Sequence, residues 1–348
     1  MRNIIIYILC LFALTSQAQK IEIGEVKTIQ SKALKEEREY LVYLPEHYSD
    51  EKYKDQHYPV IYLLDGEKYF HVTSGILKNL SNGYYPQMPE CILIAIKNTE
   101  RSRDLTPTHV SSLPYKSGGA DTFQAFISQE LIPEINSNYR VLDYKILVGH
   151  SFGGLFALNT LFKKPKSFNA YVAIDPSLWW DNKVLVKELD GVIKTTNFKG
   201  NTLFLASANS IKNQKNPSKQ HYVHFEAKKE ALKLMEITAP KNLNYHVESY
   251  ENEDHGSVVL PSLIDAFRSV FSGFRIDVKA LIKNPSLLQK QYENLSNSLG
   301  YDFKPQCAYL DKVVDLSLKR GQKENAEILH NFNKTLYPNN VYLENKLK

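Results

Sequence analysis

The run KILVGHSFGGLFAL, residues 145–158, places a serine among glycines where an apolar stretch gives way to a helical one. A hydroxyl on such a strand-to-helix corner stands clear of the backbone, where a carbonyl carbon can approach it. Gly149 and Gly153 remove the side chains that would crowd the corner. The N–H of Phe152, at the positive end of the following helix, points where a developing oxyanion would sit. A second donor is expected near Gly66, because LLDGEKYF (63–70) sets Asp65 and Gly66 at another strand's end. Ser151 at its ordinary pKa is a weak nucleophile and needs a base within hydrogen-bond reach. Gly-x-Ser-x-Gly alone proves little, since roughly 0.1 chance matches arise in a chain this long. The surroundings decide.

The base comes from ten histidines. His150 adjoins Ser151, but neighbours on a corner point apart, so it is expected to pack nearby. His221 and His224 form an H-x-x-H pair with no third ligand placed beside it, so no metal is assigned. His246 falls within a strand pattern. His255 differs: in YENEDHGSVVLPSLIDAF (250–267) it occupies a polar loop between the last strand and the last helix of the strand-bearing part, followed by a glycine. His255 is the candidate base.

The elements that must carry these residues alternate in type. REYLVYLP (38–45) alternates polar and apolar, as a half-buried strand does. Unbroken apolar runs follow at 58–66, 91–98, 144–151, 170–177 and 201–209, and NYHVESYE (244–251) alternates again. Continuous Val/Ile/Leu runs are strands covered on both faces. Helical patterns lie between them, including DTFQAFISQELIPEI (121–135), where Asp121 and Gln124 have capping-box spacing. The pattern predicts an α/β domain over 19–272, with a mostly parallel sheet of about eight strands, helices on both faces, and ligands at the strands' carboxyl ends. Beyond 275 the strand signals stop. Residues 275–348 read as a C-terminal all-helical extension, and NAEILHNFNKTLYPNN resembles the second helix of a tetratricopeptide repeat. Fewer than two repeats fit, so this TPR-like tail is expected to pack on the main domain and is a candidate protein-contact surface.

Residues 1–18 read as a secretory signal peptide: Arg2, an apolar run from Ile4 to Leu14, then Ser16 and Ala18 at the −3 and −1 positions. The run is well short of the ~20 residues that span a bilayer. An exported chain, periplasmic or extracellular, with no membrane span after cleavage is therefore expected. The formal charge of +5 is spread along the 348 residues with no Lys/Arg block, which argues against a nucleic-acid partner. Cleavage would leave two cysteines, Cys91 and Cys307, whose pairing is allowed but not implied.

YLVYLPEHY, YPVIYLLDGEKYF, NTERSRDLTPT, GHSFGG, DPSLWW and EDHGSV, in that order over about 38–272, resemble the esterase family of the α/β-hydrolase fold. That family includes enterochelin-type siderophore esterases, feruloyl and acetyl-xylan esterases, and S-formylglutathione hydrolase. The resemblance implies an α/β-hydrolase fold, Ser151 as nucleophile, His255 as general base, an oxyanion hole at Phe152 and Gly66, and no cofactor. It also implies a small-molecule or glycan ester as substrate, with a lean towards siderophores. One departure stands out: the loop after the strand ending near Ala206 reads SANSIKN and lacks the family's usual acid. Asn209, Asp175, or no third group at all are the open alternatives. Trp179 and Trp180 are expected either to wall a pocket or to fill the core. An acyltransferase using the same Ser–His pair, and a binding protein that kept the fold without activity, are the competing functions.

Overall fold

The computed structural model describes residues 20–212, 215–238, 240 and 242–346, so the expected leader at 1–18 lies outside the described residues. Eight strands form one sheet: β1 Glu25–Ser31, β2 Glu36–Tyr43, β3 Tyr58–Leu63, β4 Ile92–Ile96, β5 Val141–His150, β6 Ala170–Ile174, β7 Asn201–Ala208 and β8 Leu243–Tyr250. Their order is β1-β2-β4-β3-β5-β6-β7-β8. The β1–β2 and β2–β4 pairs are antiparallel and every other pair is parallel. Seven strands follow the sequence expectation; β1 was not foreseen. It is an edge strand whose first four residues are exposed, so it carries no apolar run.

Each apolar strand buries both faces. Ile61, Leu63, Leu93, Ala95, Ile146, Val148, Val172 and Ile174 meet α1 (Gly66–Ser81), α8 (Val259–Val270) and the C-terminal helices. Val60, Tyr62, Ile92, Ile94, Leu147, Tyr171, Ala173 and Leu205 meet the other layer. That layer holds α2 (Arg101–Leu105), α3 (Ala120–Phe126), α4 (Ile132–Asn138), α5 (Phe152–Lys163), α6 (Trp180–Thr195) and α7 (Lys219–Thr238). Each fully buried Leu, Ile or Val contributes on the order of 1.5–3 kcal/mol.

The expected capping box at 121–124 does not form. Gly119 takes the N-cap position, Asp121 lies in the first turn and bonds Lys163 at 3.1 Å, and Gln124 donates to Ser167 Oγ at 3.0 Å. The backbone before the helix turns at Gly118 (φ +87°), and Gly119 N–H donates to Arg103 O at 2.8 Å, so the chain enters the helix two residues early.

The C-terminal residues form α9 (Val278–Leu281), α10 (Ser286–Leu299), α11 (Cys307–Lys319), α12 (Lys323–Leu336) and α13 (Tyr342–Lys346). They share one continuous core with the sheet. Tyr144 on β5 packs edge-on against Phe303 at 4.8 Å and Tyr301 at 5.4 Å. Gln306 grips the backbone of Glu90 from both ends of its amide, accepting its N–H at 2.8 Å and donating to its carbonyl at 3.0 Å. Cys91 and Cys307 are both buried and unpaired. Among the described residues no helix is long and apolar enough to cross a membrane.

The sheet register aligns the ends of three strands in one row. His150 pairs with Ile174, and Ile174 with Ala206. Just beyond the ends of β3, β5 and β6 the chain turns sharply: Asp65 has φ 56°, Ser151 φ 61° and Asp175 φ 40°. Non-glycine residues rarely adopt such conformations, and they cluster where a site demands a particular aim.

Candidate active site

Ser151 is set by its neighbours. Its N–H donates to Ile174 O at 3.0 Å, and its carbonyl accepts from Leu155 N–H at 2.9 Å and Ser177 N–H at 3.1 Å. A Cβ on Gly149 would stand 2.3 Å from the Gly153 carbonyl carbon, so a glycine is required there for the corner to close. With the backbone pinned, the hydroxyl projects outward. Its oxygen lies 3.0 Å from His255 Nε2 and 3.2 Å from Ser177 Oγ.

The loop after β8 delivers His255. Asp254 accepts the N–H groups of Gly256 (2.8 Å) and Ser257 (2.9 Å), which tightens the turn and lowers the Asp254 pKa. Its carboxylate is thus spent on the loop. The ring instead donates from Nδ1 to Asp175 Oδ2, 2.5 Å away, at the end of β6. Of the open alternatives for the third group, Asp175 is the one brought to the imidazole. Asn209 turns away, donating to Glu251 at 2.8 Å and accepting from the N–H of Lys212 at 2.9 Å.

Asp175 is wholly buried. Burial would raise its pKa, but hydrogen bonds from His224 and His255 and the charge of Lys228 outweigh that and hold it well below the usual carboxylate range. It therefore stays ionised and fixes the His255 tautomer, leaving Nε2 free to accept the serine proton.

His150 packs beside the site, as expected. Tyr69 O–H donates to Nδ1 at 3.0 Å, and Nε2–H donates to the backbone carbonyl of His255 at 2.7 Å. Burial, reinforced by the neighbouring His255, takes its pKa down to about 4, so it is neutral. His150 is a strut under the His255 loop.

Gly66 and Phe152 are the first residues of α1 and α5, so neither N–H has an acceptor within its own helix. A Cβ on Gly66 would come within 2.6 Å of the Ala95 carbonyl carbon. Asp65 holds this turn, accepting from Arg101 Nε (2.5 Å) and from Asn98 Nδ2 (2.7 Å). The same guanidinium reaches His150 O at 3.3 Å and stands 5.4 Å from the centre of the Phe152 ring. Arg101 thus ties both turns together. Its stretch was noted in the sequence, but nothing in the spacing showed which partner it would take.

The two tryptophans part ways. Trp180 is buried, donating to Thr108 Oγ1 at 3.0 Å, and belongs to the core. Trp179 is partly exposed, its ring centre 6.0 Å from that of Phe152. The H-x-x-H pair splits too: His221 accepts from Ser218 N–H at 2.9 Å on the surface, while His224 turns inward to Asp175. Lys228 was not singled out at all.

Asp175, His224 and His255 bring ligand-type atoms within 4.8 Å of one another. The Lys228 ammonium sits on the other oxygen of the same carboxylate, so a divalent cation there would meet a fixed positive charge. We assign no metal. What the arrangement can do is accept a proton from a hydroxyl that stands on a strand-to-helix corner. The imidazole is 41% exposed and Ser151 partly so, which leaves the pair open to solvent.

Comparison with known proteins bears on this arrangement. The family described as "Putative esterase" matches residues 31–255. The siderophore enterobactin esterase of Emericella nidulans is 31% identical over 245 residues, spanning 58% of this chain and 78% of the relative. The ferri-bacillibactin esterase BesA of Bacillus subtilis is 30% identical over 228 residues, covering 60% of this chain and 76% of the relative. Among solved structures, an IroE-like serine hydrolase from Shewanella oneidensis superposes with a TM-score of 0.81 at 34% identity, covering 90% of this chain and 99% of that one.

Proposed function

This chain belongs to the esterase family and is a carboxylic ester hydrolase, and we propose that it is exported and opens siderophore ester bonds with Ser151 as nucleophile and His255 as general base. The observation that carries the catalytic assignment is the 3.0 Å contact between Ser151 Oγ and His255 Nε2, backed by Asp175.

The steps follow from that geometry. His255 Nε2 takes the serine proton as Oγ attacks the ester carbonyl. Asp175 stabilises the resulting imidazolium and keeps the ring in place. The oxyanion is held by the N–H groups of Phe152 and Gly66, where negative charge develops only in the transition state. Collapse expels the alcohol with the proton from His255. Water, deprotonated by the same imidazole, then releases the acid and restores Ser151. No step calls on a cofactor.

The enterobactin and bacillibactin esterases among the relatives support siderophores over acetyl or feruloyl esters. Export rests on the leader pattern at 1–18. Within this reading, 19–272 is the catalytic unit and 275–348 its helical extension.

The test is a comparison of hydrolysis rates for a catecholate trilactone, with and without iron, a feruloyl ester and p-nitrophenyl acetate. A kcat/KM for the trilactone about a hundredfold above the feruloyl ester is expected, with free acid released in the absence of any acceptor alcohol. A preference for the feruloyl ester overturns the substrate assignment. N-terminal sequencing of protein recovered outside the cytoplasm should begin at Gln19; an intact Met1 would refute export.

A further inference from the structure

Asp175 receives four N–H groups, and two of them come from a single helix. His224 Nε2 lies 3.0 Å from Oδ2, the oxygen that also accepts His255 Nδ1. Lys228 Nζ contacts Oδ1, as does Ala208 N–H at 2.9 Å. His224 and Lys228 stand four residues apart on α7, so their side chains leave one face and converge on one carboxylate. Both are buried. Lys228 is held further by Ala208 O at 2.7 Å, and Ser210 Oγ lies at 3.4 Å. His224 Nδ1 is buried with no partner, which assigns the ring proton to Nε2, the atom aimed at Asp175.

We propose that His224 and Lys228 are positioning residues for the reaction, a clamp on α7 that fixes the acid behind His255 and sets how strongly His255 holds the proton it takes from Ser151. The proposal rests on the Ser151–His255 reading above. A buried carboxylate in this position has two needs. It must stay ionised, and it must not swing away when His255 becomes charged. Lys228 supplies a fixed positive charge for the first. The two nitrogens, one on each oxygen, restrain rotation for the second. The charge has a further consequence. With His255 neutral, Asp175 and Lys228 cancel; once His255 is protonated, the group carries net positive charge. Lys228 therefore works against the hold that Asp175 alone would give His255 on that proton.

The other groups facing His255 do not offset this. His150 (ring centres 4.6 Å apart) and His224 (5.0 Å) are both neutral, since burial lowers each pKa. Ser151 carries no charge, and the Asp254 carboxylate is turned into its own loop.

The test uses the full chain and two pairs of measurements on one ester. His224→Leu removes the Nε2 donor, whereas His224→Gln can place an amide N–H at the same reach. His224→Leu should lower kcat about tenfold or more with KM little changed, and His224→Gln should recover most of it. Lys228→Met removes the charge, so the acid limb of the pH profile of kcat/KM should move to higher pH by about half a unit or more. Either an unshifted limb in a folded Lys228→Met, or equal rates for the Leu and Gln variants, overturns the clamp. If Lys228→Met does not fold, the His224 pair alone decides. Loss of the parent reading looks different: it requires that Ser151→Ala retain activity, whereas the clamp fails only against a Ser151-dependent wild type.

Discussion

Asp175 Oδ2 lies 2.5 Å from His255 Nδ1, across a gap of 80 residues, and it reaches there from the end of β6. The neighbouring strand end, after β7, offers only Asn209. The register explains how this works: Ile174 and Ala206 are paired, so the two strand ends are adjacent and an acid on either can face the same loop. The positive φ of Asp175 then turns its side chain towards His255.

Asp175→Asn should therefore cut kcat by about 10²–10⁴-fold, because an amide cannot stabilise the imidazolium and can favour the wrong tautomer. Asn209→Ala should stay within about twofold of wild type. Parallel steady-state kinetics on the two variants check this, and the reverse ranking would move the acid's role to 209.

Gly66→Ala forces a methyl to within 2.6 Å of the Ala95 carbonyl carbon. Backbone must shift to admit it, at a cost of about 1–3 kcal/mol. The donor N–H moves with it, so kcat should fall more than KM rises. Denaturant midpoints and kinetics on one preparation would show both; a variant with wild-type stability and kcat would remove Gly66 from the site.

Burial lowers His150 from its ordinary 6.5 to about 4. Between those values the unfolded chain binds a proton that the folded chain refuses. This contribution to stability is complete above pH 6.5 and falls by about 3 kcal/mol as pH drops to 4. His224 is lowered as well and pulls in the same direction. His150→Gln, which lacks the titrating group, should lose less stability between pH 7.5 and 4.5 than wild type. Urea midpoints at both pH values decide, and identical losses would contradict a neutral His150.

The parts legible in the sequence were those written in local pattern. Apolar runs such as YPVIYLL located buried strands, and glycines flanking Ser151 located the corner, because both signals depend on immediate neighbours. β1 was invisible since an exposed edge strand buries little. The acid was undecidable for another reason: Asp175 and Asn209 sit on adjacent strand ends, and only the turn at 175 selects between them. His224 appeared as half of an H-x-x-H spacing, and Lys228 gave no signal, because their meaning depends on where α7 lies over β6 and β7. Local spacing also misled once, at Asp121, where an entry through Gly118 and Gly119 displaced the helix start.

The most direct measurement is peptide mapping of the protein after reaction with a fluorophosphonate, run beside its His255→Ala variant. The account predicts one adduct, on Ser151, formed roughly a thousandfold more slowly without the imidazole. An adduct on another residue, or none on folded protein that still cleaves esters, would contradict it.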